Sequence, residues 1–264
     1  MKKYDRNLFE GTATYYAKYR PVYPSTLVRF LVQRFSLNGE QPLIDIGCGT
    51  GQLTTRFSDW CSRIVGLDTD AGMIMEAKCL QQKLRYGNID WIHGDLQDYI
   101  QQHNEEFFQL AIIAKAFHWM EREKTLELLY PLLNKGGGIA IIDSYNSNGS
   151  QELWKRKFKD VVTHWYGKER RAGNTTYRHP DRSYETIIND SDFDLEVHRL
   201  PSYEVTWTVE SIIGNLYSTS YGAKRFLGNR EKEFETEARE ILLSTNPAGV
   251  FKEQVELTIK MAIK

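Results

Sequence analysis

Apolar residues fall into short unbroken runs along this chain, separated by stretches in which they recur every three or four positions. Five such runs stand at 43–47, 64–68, 89–95, 107–113 and 138–143. Between them, 71–83 and 121–133 carry the helical spacing. A run that is apolar throughout, rather than at every second position, describes a strand buried on both faces. Alternation of such strands with helices predicts a parallel sheet covered by helices on both sides. Upstream, Pro21 and Pro24 mark a boundary, and Ser25 is placed as the N-cap of a helix carrying Leu27, Val28, Leu31, Val32 and Phe35. From about 145 the rhythm breaks. A helical piece around 154–165 is followed by a polar stretch at 168–182, a strand at 194–207, helix over 209–246 and an alternating final strand over 250–264. The reading is a single domain over 1–264, with a core at about 25–145 plus the two late strands, and insertions at about 150–190 and 209–247 forming a helical cap.

Composition narrows the class. With 264 residues and 41% hydrophobic content the chain fills a sizeable core and is not a disordered protein. A formal net charge of −1 provides no global basic field, so a nucleic-acid partner would need a local patch. The cysteines, Cys48, Cys61 and Cys79, have no metal-ligand spacing and are odd in number, which predicts reduced thiols, no metal and a cytoplasmic protein. Met1-Lys2-Lys3 runs into Tyr4-Asp5 without an apolar segment, so no secretory signal is expected. No apolar run approaches the ~20 residues of a membrane span; the stretch 110–116 is short and carries Lys115.

The candidate chemistry starts at Asp45-Ile46-Gly47-Cys48-Gly49-Thr50-Gly51, directly after the first strand and before a helical segment. Glycines at every second position allow a tight turn and let a ligand approach the backbone. The helix that follows would present unpaired N–H groups. A dinucleotide site uses G-x-G-x-x-G. Here the spacing is G-x-G-x-G with Gln52 at the third glycine position, and Asp45 brings a negative charge that suits a cationic ligand better than a diphosphate. Asp68 ends the second strand, 21 residues after Gly47, where a carboxylate can accept hydrogen bonds from both hydroxyls of a ribose. Asp70 reads as a helix N-cap.

The Asp-x-Gly-x-Gly-x-Gly turn resembles motif I of the class I S-adenosylmethionine-dependent methyltransferases. The resemblance implies an α/β, Rossmann-like, seven-stranded and mostly parallel sheet, its last strand antiparallel beside the fifth. It also implies S-adenosyl-L-methionine as cofactor, wrapped by Gly47, Gly49 and Gly51, with Asp45 near its amino group and Asp68, with Thr69, at its ribose. Met73 matches a position that packs on the adenine, with a plain core methionine as the competing reading. Gly94-Asp95-Leu96 resembles the adenine-recognition turn, in which Asp95 would take the exocyclic amine and the Leu96 backbone a ring nitrogen. These motifs cover roughly 40–145.

After the fourth strand stands Ala114-Lys115-Ala116-Phe117-His118-Trp119, without the Pro-Pro of enzymes that methylate exocyclic amines of nucleic acids. A His-Trp pair here resembles the small-molecule "type 11" branch, including trans-aconitate methyltransferase-like proteins. So do the lead-in around Tyr16-Ala17-Lys18-Tyr19-Arg20-Pro21 and the segment 207–220. The expected activity is in-line transfer of a methyl group to a small-molecule acceptor, which positioning can accelerate by about 7–11 kcal/mol in ideal cases. His118 is the candidate general base, against a structural histidine beside the strand end. Trp119 and Tyr19 are candidate walls of the acceptor pocket, and Tyr16 and Arg20 candidate contacts to cofactor or acceptor, against an arm anchored on the surface. For an acidic acceptor Arg20, Arg171 and Arg178 are available. The basic stretch with Arg170-Arg171 could bind an anion or RNA, but its acidic neighbours Glu169 and Asp181 favour a solvated loop. Competing functions are an RNA or tRNA methyltransferase and a non-catalytic cofactor-binding module.

Overall fold

The computed structural model describes residues 7–103, 105–144, 152–169, 171–173, 175–177 and 181–264. The five apolar runs form strands β1 (Leu43–Ile46), β2 (Ile64–Asp68), β3 (Ile89–His93), β4 (Phe108–Ala114) and β5 (Leu133–Ser144). They are followed by a two-residue hairpin, β6 (Arg171–Ala172) and β7 (Thr175–Thr176), and by β8 (Asp194–Arg199), β9 (Tyr203–Thr208), β10 (Val250–Val255) and β11 (Leu257–Ile263). Seven of these make one sheet in the order β3-β2-β1-β4-β5-β11-β8. The pairs among β1 to β5 are parallel, and β11 runs antiparallel to both β5 and β8. This is the Rossmann-like sheet that the sequence predicts. Its order reverses between β1 and β4, which opens a crevice at their carboxyl ends.

Helices α1 (Ala13–Tyr19), α2 (Ser25–Arg34), α3 (Ala71–Leu84), α4 (Leu96–Gln102), α5 (Arg122–Leu129), α6 (Leu153–Tyr166), α7 (Tyr184–Asn189), α8 (Val209–Tyr217) and α9 (Glu231–Thr245) complete the chain. The period of two within the apolar runs divides them between two cores. Leu43, Ile64 and Leu110 meet Leu27 and Leu31 of α2 and Ala77 of α3 on one face. Ile44, Val65 and Ala111 meet Leu96 of α4, Leu126 of α5 and Ile187 of α7 on the other. A third core lies in the cap, where Ile212 and Leu216 of α8 pack on Phe234, Ala238 and Leu242 of α9 and on Phe251 of β10. The α9 residues stand four apart and are fully buried, so Phe234 and Leu242 contribute about 1.5–3 kcal/mol each by area alone.

The late strands differ from their predicted extents. Each expected strand, 194–207 and 250–264, is two. Residues 200–202, with Pro201, and residue 256 interrupt the pairing, and Leu200 N–H still donates to the Leu257 carbonyl at 3.0 Å. Arg199 pairs with Thr258 and Tyr203 with Val255, so one strand holds an extra residue at the break. Pro201 lacks the N–H that a continuous ladder would use. The inner halves, β8 and β11, join the sheet, and the outer halves, β9 and β10, form a separate ribbon in the cap. Ser25 is the first helical residue rather than the cap, and Pro24 precedes it in extended conformation. Among the described residues no helix is long and apolar enough to cross a membrane.

Candidate active site

The turn after β1 is held from both sides. Gly47, Gly49 and Gly51 have φ of +72°, +55° and +74°. The Gly47 and Cys48 N–H groups donate to the Leu67 carbonyl of β2 at 2.8 and 2.9 Å. A β-carbon on Gly47 would stand 2.6 Å from Ala116, so this glycine is required by close approach as well as by φ. The helical segment that follows is a 3-10 helix, Thr54–Trp60.

Asp45 ends inside this turn with 1% of its surface exposed. Thr54 Oγ1 donates to its Oδ2 at 2.6 Å, and Oδ1 is buried without a partner. Burial pushes its pKa up to about 7 against the opposing effect of the Thr54 bond. Asp68 clamps the glycine turn to β2. Its Oδ2 accepts from Gly49 N–H at 2.8 Å and its Oδ1 from Asp70 N–H at 2.9 Å. Burial raises it to about 6, opposed by those two bonds. Each carboxylate oxygen has two lone pairs, which leaves Asp68 able to accept from a ligand as well.

The neighbouring positions are arranged by ordinary helix capping. Asp70 accepts from Met73 N–H at 3.0 Å and caps α3, as the sequence predicts. Asp95 accepts from Asp98 N–H at 2.9 Å and caps α4, so its place at the end of β3 has a local explanation independent of any ligand. Leu96 and Met73 are buried, while Thr69 is exposed and its carbonyl lies 3.1 Å from His93 Nε2.

Helix α1 lies over the turn. The Tyr16 ring is 3.5 Å from where a Gly49 β-carbon would be, and Gln52 Nε2 donates to the Ala17 carbonyl at 2.9 Å. The Arg20 guanidinium stands over the Tyr16 ring at 4.9 Å and donates to the Ser218 carbonyl at 3.3 Å; its Nε is buried without a partner. A narrow cleft results, lined by Tyr16, Arg20, Tyr23, Asp45, Gly47 and Lys115 among others. Tyr16, Arg20, Asp45 and the glycine turn are therefore brought together.

Other predicted residues lie elsewhere. Tyr19 faces α8, where its hydroxyl donates to Glu210 at 2.7 Å and its ring rests on Gly214. It is absent from the lining of the cleft, its direction differing from that of the adjacent Arg20 by the rotation of one residue, about 100° in a helix. His118 and Trp119 sit in a 3-10 turn, Phe117–Trp119, and form an aromatic group with Tyr177 and Phe9, the Trp119 centroid being 4.5 Å from His118, 5.4 Å from Tyr177 and 6.1 Å from Phe9. Arg171 lies in the small hairpin with its guanidinium 4.9 Å from the Phe226 centroid, in a separate hollow with Lys168 and Thr176. Arg170 and Arg178 lie outside the described residues.

Three contributors escaped sequence reasoning. Thr54 holds Asp45. Trp91 of β3 packs between Gly51 and Gly66, with Nε1 donating to Gln81 at 2.7 Å. Lys115 is the only lysine in its apolar run, and that interruption was the signal for it.

Residues 43–137 match a family described as a methyltransferase domain. An uncharacterised methyltransferase of Schizosaccharomyces pombe is 27% identical over 148 residues, 56% of this chain and 55% of that protein. The chain spans about half the length of the curated relatives it matches first. Among solved structures, an S-adenosylmethionine-dependent methyltransferase from Thiobacillus denitrificans, in complex with S-adenosyl-L-homocysteine, superposes with a TM-score of 0.53 at 16% identity, covering 98% of this chain and 97% of that one. A phosphoethanolamine N-methyltransferase from Haemonchus contortus, in complex with phosphomonomethylethanolamine and S-adenosylhomocysteine, gives 0.57 at 15% identity over 100% of this chain and 60% of that one. At these identities the likeness bears on the fold.

Proposed function

We infer that this chain, which carries a class I S-adenosylmethionine-dependent methyltransferase domain, is an enzyme that moves the cofactor's methyl group to a small-molecule acceptor. The observation that carries this reading is the unsatisfied carboxylate oxygen of Asp45 in a cleft walled by a left-handed glycine turn. A buried acceptor without a donor calls for a cationic or hydrogen-donating ligand, and an ammonium group fits it. The residues present fit S-adenosylmethionine. Asp45 would face its ammonium, Asp68 its ribose hydroxyls, and Asp95 and Leu96 its adenine. Tyr16 and Arg20 of α1 would cover it. When bound, the cofactor supplies an electrophilic methyl group on a sulfonium.

This chain's own part is to position and enclose. Asp68 holds the glycine turn through Gly49. The third core and α1 pack together through Tyr15 against Tyr217, with centroids 5.3 Å apart, which supports reading them as a cover over the strand ends. Such closure excludes water and suits a small acceptor better than a duplex. His118 and Trp119, after β4, are the side chains we assign to the acceptor side, His118 as base where the acceptor has a proton to lose. The Haemonchus enzyme, in complex with phosphomonomethylethanolamine, shows that a related fold accommodates a small acceptor. Unbridged Cys48, Cys61 and Cys79 suit a reducing compartment such as the cytoplasm.

The test is calorimetric titration with S-adenosylmethionine and, in parallel, NAD, followed by acceptor screening for released S-adenosylhomocysteine. Micromolar binding of S-adenosylmethionine alone is expected. Heat with NAD alone would refute the cofactor assignment, and a gel shift with total tRNA at physiological salt would refute the small-molecule acceptor.

A further inference from the structure

The cleft beside the glycine turn is lined by charges of both signs. Asp45 buries Oδ1 without a partner. Two cations share the lining. Arg20 buries Nε without a partner. Lys115 points its ammonium at the Tyr23 ring, 5.6 Å away, and makes no ion pair among the described residues. Both line the same cleft as Asp45.

The position of Lys115 is enforced. Its φ is +53°, a left-handed conformation that costs a side-chain-bearing residue about 1–2 kcal/mol. Its N–H donates to the Ile142 carbonyl of β5 at 2.9 Å, which holds that conformation at the end of β4. Strain of this kind persists where the surrounding structure over-determines it, and it clusters at ligand sites. The charges that face Lys115 are Arg20, which repels it, and Asp143 and Glu253, which attract it. Asp143 is itself raised to about 6 by burial and divides its attraction between Lys115 and Lys260. Burial and Arg20 accordingly lower Lys115 to about 8. Two cations are thus kept near each other, neither in an ion pair among the described residues, an arrangement relieved by a carboxylate that enters the cleft.

We propose that Lys115, together with Arg20, holds the carboxylate of a zwitterionic α-amino-acid group whose ammonium faces Asp45. The proposal rests on the reading of the cleft given above, because the methionine end of S-adenosylmethionine is one such group. An amino-acid acceptor is the other source of the same chemistry. In either case Lys115 is a binding residue that neither the motif spacing nor the resemblance assigns.

The test uses the full chain as wild type, Lys115→Met and Lys115→Arg. Each is titrated with S-adenosylhomocysteine and with 5′-methylthioadenosine, which keeps the adenosine and lacks the amino-acid end. Expected is a loss of at least tenfold in S-adenosylhomocysteine affinity for Lys115→Met, with unchanged 5′-methylthioadenosine affinity and substantial recovery in Lys115→Arg. Equal weakening of both ligands would overturn the proposal, since Lys115 would then act through the fold. Should S-adenosylhomocysteine affinity stay unchanged, a panel of free α-amino acids titrated into the S-adenosylhomocysteine complex decides. Binding that is lost in Lys115→Met assigns the carboxylate to the acceptor, and no dependence on Lys115 overturns the proposal. A wild type that binds neither nucleoside would count against the cofactor reading, and the amino-acid panel on the unliganded chain would still judge the cleft. Thermal unfolding of each variant verifies folding, and Lys115→Met is expected to unfold no earlier than wild type because it removes a buried cation.

Discussion

Substitution of Gly51 by alanine is the sharpest test of how the cofactor turn is supported. The new β-carbon would stand 2.5 Å from Cη2 and 3.1 Å from Cζ2 of Trp91. The indole has no room to retreat, because its other edge lies 2.5 Å from where a Gly66 β-carbon would be and its Nε1 is tied to Gln81. Overpacking of this kind costs about 1–3 kcal/mol. Residue 51 also keeps φ at +74°, which costs alanine about 1–2 kcal/mol more. The expected destabilisation is therefore about 2–5 kcal/mol, read as the shift in urea midpoint at unchanged slope, or as a fall in Tm of about 5–15 °C. A double-mutant cycle with Trp91→Leu separates the two causes. Coupling of about 1–3 kcal/mol is expected, since the smaller side chain relieves the clash and leaves the φ cost. Gly51→Ala within about 1 kcal/mol of wild type, or strict additivity with Trp91→Leu, would refute the view that Trp91 clamps the turn.

Three further outcomes follow from the same geometry. Asp45 and Asp68 hold their protons more tightly folded than unfolded, up to about 7 and about 6. The stability contributed by their protonated forms is therefore lost as pH rises from about 4 through those values, whereas a cationic ligand needs Asp45 ionised. Affinity for S-adenosylmethionine should thus rise from about pH 6 to about pH 8 and level above it, and Asp45→Asn should be weak and flat; a flat wild-type profile would contradict the assignment. Asp68→Ala removes both N–H contacts that fix the glycine turn and should weaken cofactor binding at least tenfold by calorimetry, a hydrogen bond to a charged group being worth about 1.5–3 kcal/mol. Gly214→Ala would put a β-carbon 2.3 Å from the Tyr19 ring and should destabilise the α1–α8 contact by about 1–3 kcal/mol, whereas Tyr19→Phe should change stability by less than about 1 kcal/mol and leave cofactor affinity intact. Equal stabilities for the two variants would show that Tyr19 does not pack as described.

The inner part of the sheet was legible in the sequence because β1, β2 and β4 are buried on both faces and so carry nearly continuous apolar runs, and because turn residues bracket them. The glycine turn and its two aspartates were legible for a different reason: only that residue pattern permits left-handed backbone at Gly47, Gly49 and Gly51. The late strands were harder. Apolar alternation continues through Glu256 and resumes after Pro201, so periodicity alone does not reveal that each segment serves two sheets. The surroundings of Tyr19 were not legible: nothing in its neighbourhood in sequence announces Glu210 and Gly214. Lys115 was visible as an interruption of an apolar run, but its meaning depends on Arg20, which reaches it only through the fold.

The place of β11 has a consequence for how the molecule is made. Residues 257–263 pair with β5 on one side and β8 on the other. During synthesis β8 therefore has no neighbour to join until residue 263 has left the ribosome. The nascent chain must carry an exposed β5 edge through the production of more than a hundred residues, and the contacts of Lys264 Nζ, which donates to the Tyr130 and Leu133 carbonyls at 2.8 Å, form only after β11 is available. Committing the core to its final form is thus an event that waits for β11, and the outer ribbon of β9 and β10, which continues from the same two strands, is drawn into place by it.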